Sequence, residues 1–110
     1  MEPQMEPKLE LRTYERHPVR YRSLFSGDGA QIKEGFVLDL SLGGCRITSE
    51  QPPPQGTCLE LHIRPDHHAP VYVPRAVVKW INNAVFGVEF VELAEPDALT
   101  LKRLLCLLPT

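Results

Sequence analysis

Hydrophobic and polar residues alternate with a period of two along most of this chain, and only the C-terminal end changes to a helical period. Residues 19–25 suit a strand, and Ser26-Gly-Asp-Gly29 is a turn signal, with Asp28 between two glycines, that closes a hairpin onto the next one. That next strand covers 31–40. Its spacing puts Ile32, Glu34, Phe36, Leu38 and Leu40 on one face and Lys33, Gly35, Val37 and Asp39 on the other, a usable alternation apart from Glu34. Gly43-Gly44 turns the chain into a short third strand at 45–48, and Gln51-Pro-Pro-Pro-Gln-Gly56 cannot pair inside a sheet, so it reads as a surface loop. A fourth strand at 57–63 places Leu59, Leu61 and Ile63 on one face. After a polar loop, the run at 71–81 carries Pro74, which predicts an edge or a bulge. Asn82-Asn83 then turns into 85–91, where Phe86, Val88 and Phe90 share a face. Short strands joined by turns describe an all-β antiparallel barrel or sandwich. After Glu95-Pro96, Leu101, Leu104, Leu105 and Leu108 recur at helical spacing, so a helix to about Leu107 is expected to cover the open end of the sheet structure. Its leucine content also leaves room for a contact between two copies, so monomer and homodimer both stay open.

With 110 residues, 43% hydrophobic and 24% charged, the chain is expected to form one ordinary globular domain. Residues 1–12, polar and holding two prolines, read as a flexible leader, and 13–110 as the domain. The first residues lack the basic start and apolar run of a signal peptide, and no segment reaches the roughly 18 apolar residues of a membrane span, so a cytoplasmic protein with no membrane contact is expected. Cys45, Cys58 and Cys106 are too scattered for a disulfide frame or a zinc site. The net charge of -2 gives no global field for nucleic acid, so any anion site must be local.

One such site is Arg16-His-Pro-Val-Arg20, flanked by Arg12 and Arg22. Pro18 disfavours a helix and pushes His17 toward extended geometry. In a strand the two guanidinium groups would point the same way, about 13 Å apart at roughly 3.3 Å per residue. Such an arm suits an anionic, planar or phosphorylated partner, although a merely solvated basic arm has the same composition. A second constellation, Asp39-Leu-Ser-Leu-Gly-Gly44, joins the second and third strands. Its carboxylate can accept from the amino edge of guanine, its hydroxyl can serve a phosphate or base, and Gly44 gives either a positive φ or a close backbone approach. Asp, Ser and Gly are also common turn formers. His62, Asp66, His67 and His68 lack a settled ligand spacing, so a surface loop is expected there rather than a metal site. No nucleophile or acid pair has the neighbours that catalysis needs. Trp80 and Tyr72 read as core or barrel-wall aromatics, with Trp80 also able to line a ligand groove.

Taken together, an Arg-x-x-x-Arg arm followed after one hairpin by Asp-x-Ser-x-x-Gly resembles the PilZ family of bacterial cyclic di-GMP receptor domains. The resemblance runs from about Tyr14 to the terminal helix; Val77-Val-Lys-Trp80 and Phe86-Gly-Val-Glu-Phe90 also look like the family's later strands. It implies a six-stranded antiparallel β-barrel with a C-terminal helix, and a ligand clamped between the arm and the barrel wall. Arg16, Arg20, Asp39, Ser41 and Gly44 match the motif positions; Arg12, Glu15, Arg46 and Trp80 stand as ligand-adjacent candidates. Arginine can pair with phosphate, read guanine O6 and N7, and lie flat on a purine. Many members carry a further arginine just before the arm, the pattern that accepts two stacked ligands. Here that position is Glu15, unfavourable beside phosphate unless paired with Arg12 or Arg46, so one ligand per chain is expected. The resemblance implies a non-enzymatic, cofactor-free receptor that signals to a downstream protein. The rival expectations are a ligand-independent adaptor of type IV pilus or motility machinery, and a small barrel binding single-stranded nucleic acid, which the 7% aromatic content disfavours.

Overall fold

The computed structural model describes residues 15–27 and 31–108. The leader at 1–12, with Arg12, and the turn around Asp28 lie outside those described residues. Six strands, β1 (His17–Gly27), β2 (Lys33–Leu40), β3 (Gly44–Thr48), β4 (Cys58–Arg64), β5 (Val71–Asn82) and β6 (Val85–Glu92), precede one helix, α1 (Glu95–Leu107), among the described residues. They close an antiparallel barrel in the order β1-β2-β3-β6-β5-β4, which decides between barrel and sandwich.

Every strand then has two neighbours, so Pro74 marks a bulge and not an edge. The β4–β5 register slips between Leu59 and Leu61, opposite Pro74, and the inward face of β5 changes parity from Val71 and Val73 to Ala76 and Val78. Asn83 takes a positive φ of 58° in the β5–β6 turn, a conformation asparagine tolerates. The interior is filled by Phe25, Val37, Ile47, Leu61, Ile63 and Phe86, all buried, with Phe25 and Phe86 meeting edge to face at 5.4 Å between centroids.

The faces of β2 are the reverse of an apolar-inward reading. Gly35 and Val37 point inward, while Ile32 is 68% exposed and Phe36 and Leu38 are half-buried on the outer wall. Two features override the pattern: Phe36 is covered from outside by an arginine of β1, and the β2–β3 register slips between Val37 and Asp39, which turns Leu40 into the core. A buried hydroxyl, Ser23 Oγ, finds no hydrogen-bond partner among the described residues.

Helix α1 starts with proline in its first turn and buries Leu101, Leu104 and Leu105 in the barrel core. β6 pairs with β5 only as far as Arg75, leaving the backbone before it without that neighbour. Asp97 compensates: its Oδ1 accepts the Tyr72 backbone N–H at 2.9 Å and fastens the helix over this gap. Leu99 and Leu107 stay on the outside of the helix, 49% and 68% exposed. No helix among the described residues is long and apolar enough to cross a membrane.

Candidate ligand-binding site

Asp39 lies one residue before the end of β2, where the register with β3 has just slipped, and the slip sets it directly across from Arg46. Arg46 holds both carboxylate oxygens. Its backbone N–H donates to Oδ1 at 3.1 Å and its Nε donates to Oδ2 at 2.7 Å. Arg16 Nη1 adds a third bond to Oδ1 at 3.0 Å, from a residue that precedes β1. Asp39 is thus a buried carboxylate satisfied by charge-assisted bonds, while the Arg16 side chain remains 53% exposed. Glu15 does not pair with Arg46, as the sequence left open; Arg46 Nε is directed to Asp39 instead.

Beyond Asp39 the chain folds on the Ser41 hydroxyl. Ser41 Oγ accepts the N–H groups of Gly43 and Gly44, each at 3.2 Å, and lies 3.2 Å from the Gly44 carbonyl to which it donates. The Phe90 N–H donates to the Gly43 carbonyl at 2.8 Å and ties the loop to β6. Gly44 has no positive φ; its need is for space, since a Cβ there would overlap the Val88 carbonyl oxygen. The close approach expected at Gly44 is therefore occupied by the neighbouring strand. Beneath this corner, burial pushes the Cys45 thiol far above its ordinary pKa; Asp39 adds to the rise and Arg16 opposes it.

Pro18 has the predicted effect: the arm is extended and strand β1 begins at His17. The pairing with β2 is irregular between Pro18 and Tyr21. Arg16 and Arg20 both lie outward but reach different partners. Arg20 lays its guanidinium 4.6 Å from the centre of the Phe36 ring, on the barrel wall.

A cleft of about 550 Å³ opens beside the Asp39 corner, within the size range of small-molecule sites. Arg16, Ser41 and Gly44 line it, together with Trp80, Gly87 and the Lys79–Glu89 ion pair at 3.5 Å. Arg20 is not part of its wall. Trp80 is 38% exposed, an outer-wall aromatic and not a core one, and its indole lies so close over Gly87 that a Cβ there would strike the ring. The sequence reading missed Lys79, Gly87, Glu89 and Phe36. Gly87 carried a signal, being a glycine inside a strand pattern, which marks a close approach. Lys79 and Glu89 carried none, because an exposed ion pair leaves no trace in periodicity.

A family model described as PilZ domain matches residues 10–106. The fold resembles the solved PilZ domain of CeSA from a cellulose-synthesizing bacterium, 19% identical, with a TM-score of 0.67, covering 82% of this chain and 93% of that one. It also resembles the Bacillus subtilis inhibitor of motility MotI/DgrA, 21% identical with a TM-score of 0.70, covering 87% of this chain and 52% of that one. The chain thus spans about half of that second protein. A search of curated proteins finds no match.

Proposed function

The chain belongs to the PilZ domain family, and from that premise we propose that it is a cytoplasmic cyclic di-GMP receptor without catalytic activity or cofactor, signalling to a downstream protein. The observation that carries this reading is the meeting of the two motifs: Arg16 and Asp39, remote in sequence, bond at 3.0 Å beside a nucleotide-sized cleft. In the proposed complex Arg16 and Arg20 engage phosphate and guanine edges, Asp39 and Ser41 hold a second guanine edge, and Gly44 keeps the loop close to the barrel. Trp80 and Arg46 stand beside the ligand, the first as a flat wall and the second as the group that holds both Asp39 oxygens and aims the carboxylate. Arg12 would add positive charge from the leader.

The mechanism follows from competition. A phosphate seated against Arg16 draws Arg20 from Phe36, because an anion offers that guanidinium a stronger partner than an aromatic face. The arm then changes position, and that change is the signal. Glu15, exposed at the start of the arm, disfavours a second ligand, so one nucleotide per chain is expected. Motility control is a reasonable output, since a structural neighbour is an inhibitor of motility.

The test is a titration with cyclic di-GMP, GTP, cyclic GMP and a short single-stranded oligonucleotide, followed by Trp80 fluorescence. The reading expects saturable quenching by cyclic di-GMP alone, at one ligand per chain. A response to the oligonucleotide in its place, or to none of the four, would overturn it, the last outcome favouring a ligand-independent adaptor.

A further inference from the structure

On the outer barrel wall, Arg22 of β1 and Arg64 of β4 stand directly opposite each other in the antiparallel ladder. Their Cβ atoms are then about 4.5–5.5 Å apart, a distance at which like charges repel. Neither forms an ion pair among the described residues. The acids on the same wall do not pair with them: Glu60 accepts the Tyr72 hydroxyl at 2.8 Å, and Glu34, opposite Leu24 in the next row, and Glu50 line the Arg22 groove without an ion pair among the described residues. On its other side Arg22 faces Phe36, the ring that Arg20 covers at 4.6 Å. Ile32, 68% exposed, lines both the groove that holds Arg22 and the one that holds Arg64.

We propose that this wall is a docking surface for an acidic, apolar segment of a protein partner, and that ligand binding uncovers it. A partner carboxylate relieves the Arg22–Arg64 repulsion by accepting from both forks, and a neighbouring apolar side chain seats on Phe36 and Ile32. Charge complementarity selects the acid, and the interleaved aromatic and aliphatic residues select a protein over a polyphosphate backbone. A second copy of this chain is a poorer occupant: of its exposed strand-borne acids, Glu89 and Glu92 pair with Lys79 and Arg75, Glu60 accepts from Tyr72, and Glu34 lies on this same wall. The link to the ligand is Arg20. When Arg20 turns to a nucleotide phosphate it leaves Phe36 bare. This regulated step rests on the cyclic di-GMP reading; the docking surface does not.

The probe is a fluorescein-labelled synthetic peptide alternating Glu with Leu and Phe, with a control carrying Lys for Glu, followed by anisotropy with and without saturating cyclic di-GMP. The proposal expects binding of the acidic peptide only, about tenfold tighter with nucleotide, equivalent to roughly 1.4 kcal/mol. Binding should be lost in Arg22→Glu/Arg64→Glu and weakened in Arg22→Gln/Arg64→Gln, with circular dichroism showing both variants folded. Equal peptide affinity in the charge-reversed variant overturns the surface, as does a preference for an oligonucleotide or self-association seen by sedimentation in place of peptide binding. Calorimetry in parallel separates the two readings. Nucleotide heat without a change in peptide affinity overturns the coupling alone, whereas absence of nucleotide heat overturns the receptor reading and leaves the docking surface to the charge-reversal comparison.

Discussion

The two arginines of the arm are chemically identical and four positions apart, yet they are held in opposite ways. Arg16 sits at a polar corner where Asp39 has three donors and the Ser41 hydroxyl gathers the N–H groups of the neighbouring turn. Arg20 lies on the open wall and touches the face of one aromatic ring. The difference teaches what each can do. The corner is over-determined, so Arg16 and Asp39 are prepositioned and define a place. The wall contact is worth about 0.5–1 kcal/mol at an exposed site, so Arg20 can leave it at small cost and report an event.

The largest effect should come from breaking the corner at its backbone. Gly44→Val drives a branched side chain into the Val88 carbonyl, and the cost of about 3 kcal/mol should lower the thermal midpoint by roughly 12–24 °C in a differential scanning measurement. Removing the charge at the corner should cost less. Asp39→Ala strands Arg46 and Arg16, but both side chains are about half exposed and water can take over, so the loss should be near 1 kcal/mol in urea unfolding. Ser23 gives the converse case, a polar group with nothing to hold it. Ser23→Ala removes a buried hydroxyl that has no partner among the described residues and should stabilise the barrel by about 1 kcal/mol in the same assay. Smallest is the wall itself: Arg20→Ala should change stability by about 0.5 kcal/mol, the low end of the range for an exposed contact. A loss as large as that of Asp39→Ala would erase the distinction between corner and wall.

The barrel was legible because its interior follows simple alternation. Leu59, Leu61 and Ile63 read correctly from their spacing alone, and the leucines of α1 did the same at helical spacing. β2 did not, because Phe36 and Leu38 are apolar yet outward, and no one-dimensional pattern records that an arginine of another strand covers one of them. The candidate site was half legible. Arg16 and Asp39 could be named from their motifs, and they meet. Their contact depends on a register slip at Asp39, which also recruits Arg46 as a partner that spacing does not reveal. Trp80 was visible as an aromatic, but its place on the outer wall follows from Gly87, one strand away.

Calorimetric titration of cyclic di-GMP into the wild-type chain, Asp39→Ala and Arg20→Ala tests the central claim most directly. The account predicts one binding event per chain in the wild type, weakened at least about tenfold in each variant, or roughly 1.4 kcal/mol. Equal affinity in all three proteins would contradict it.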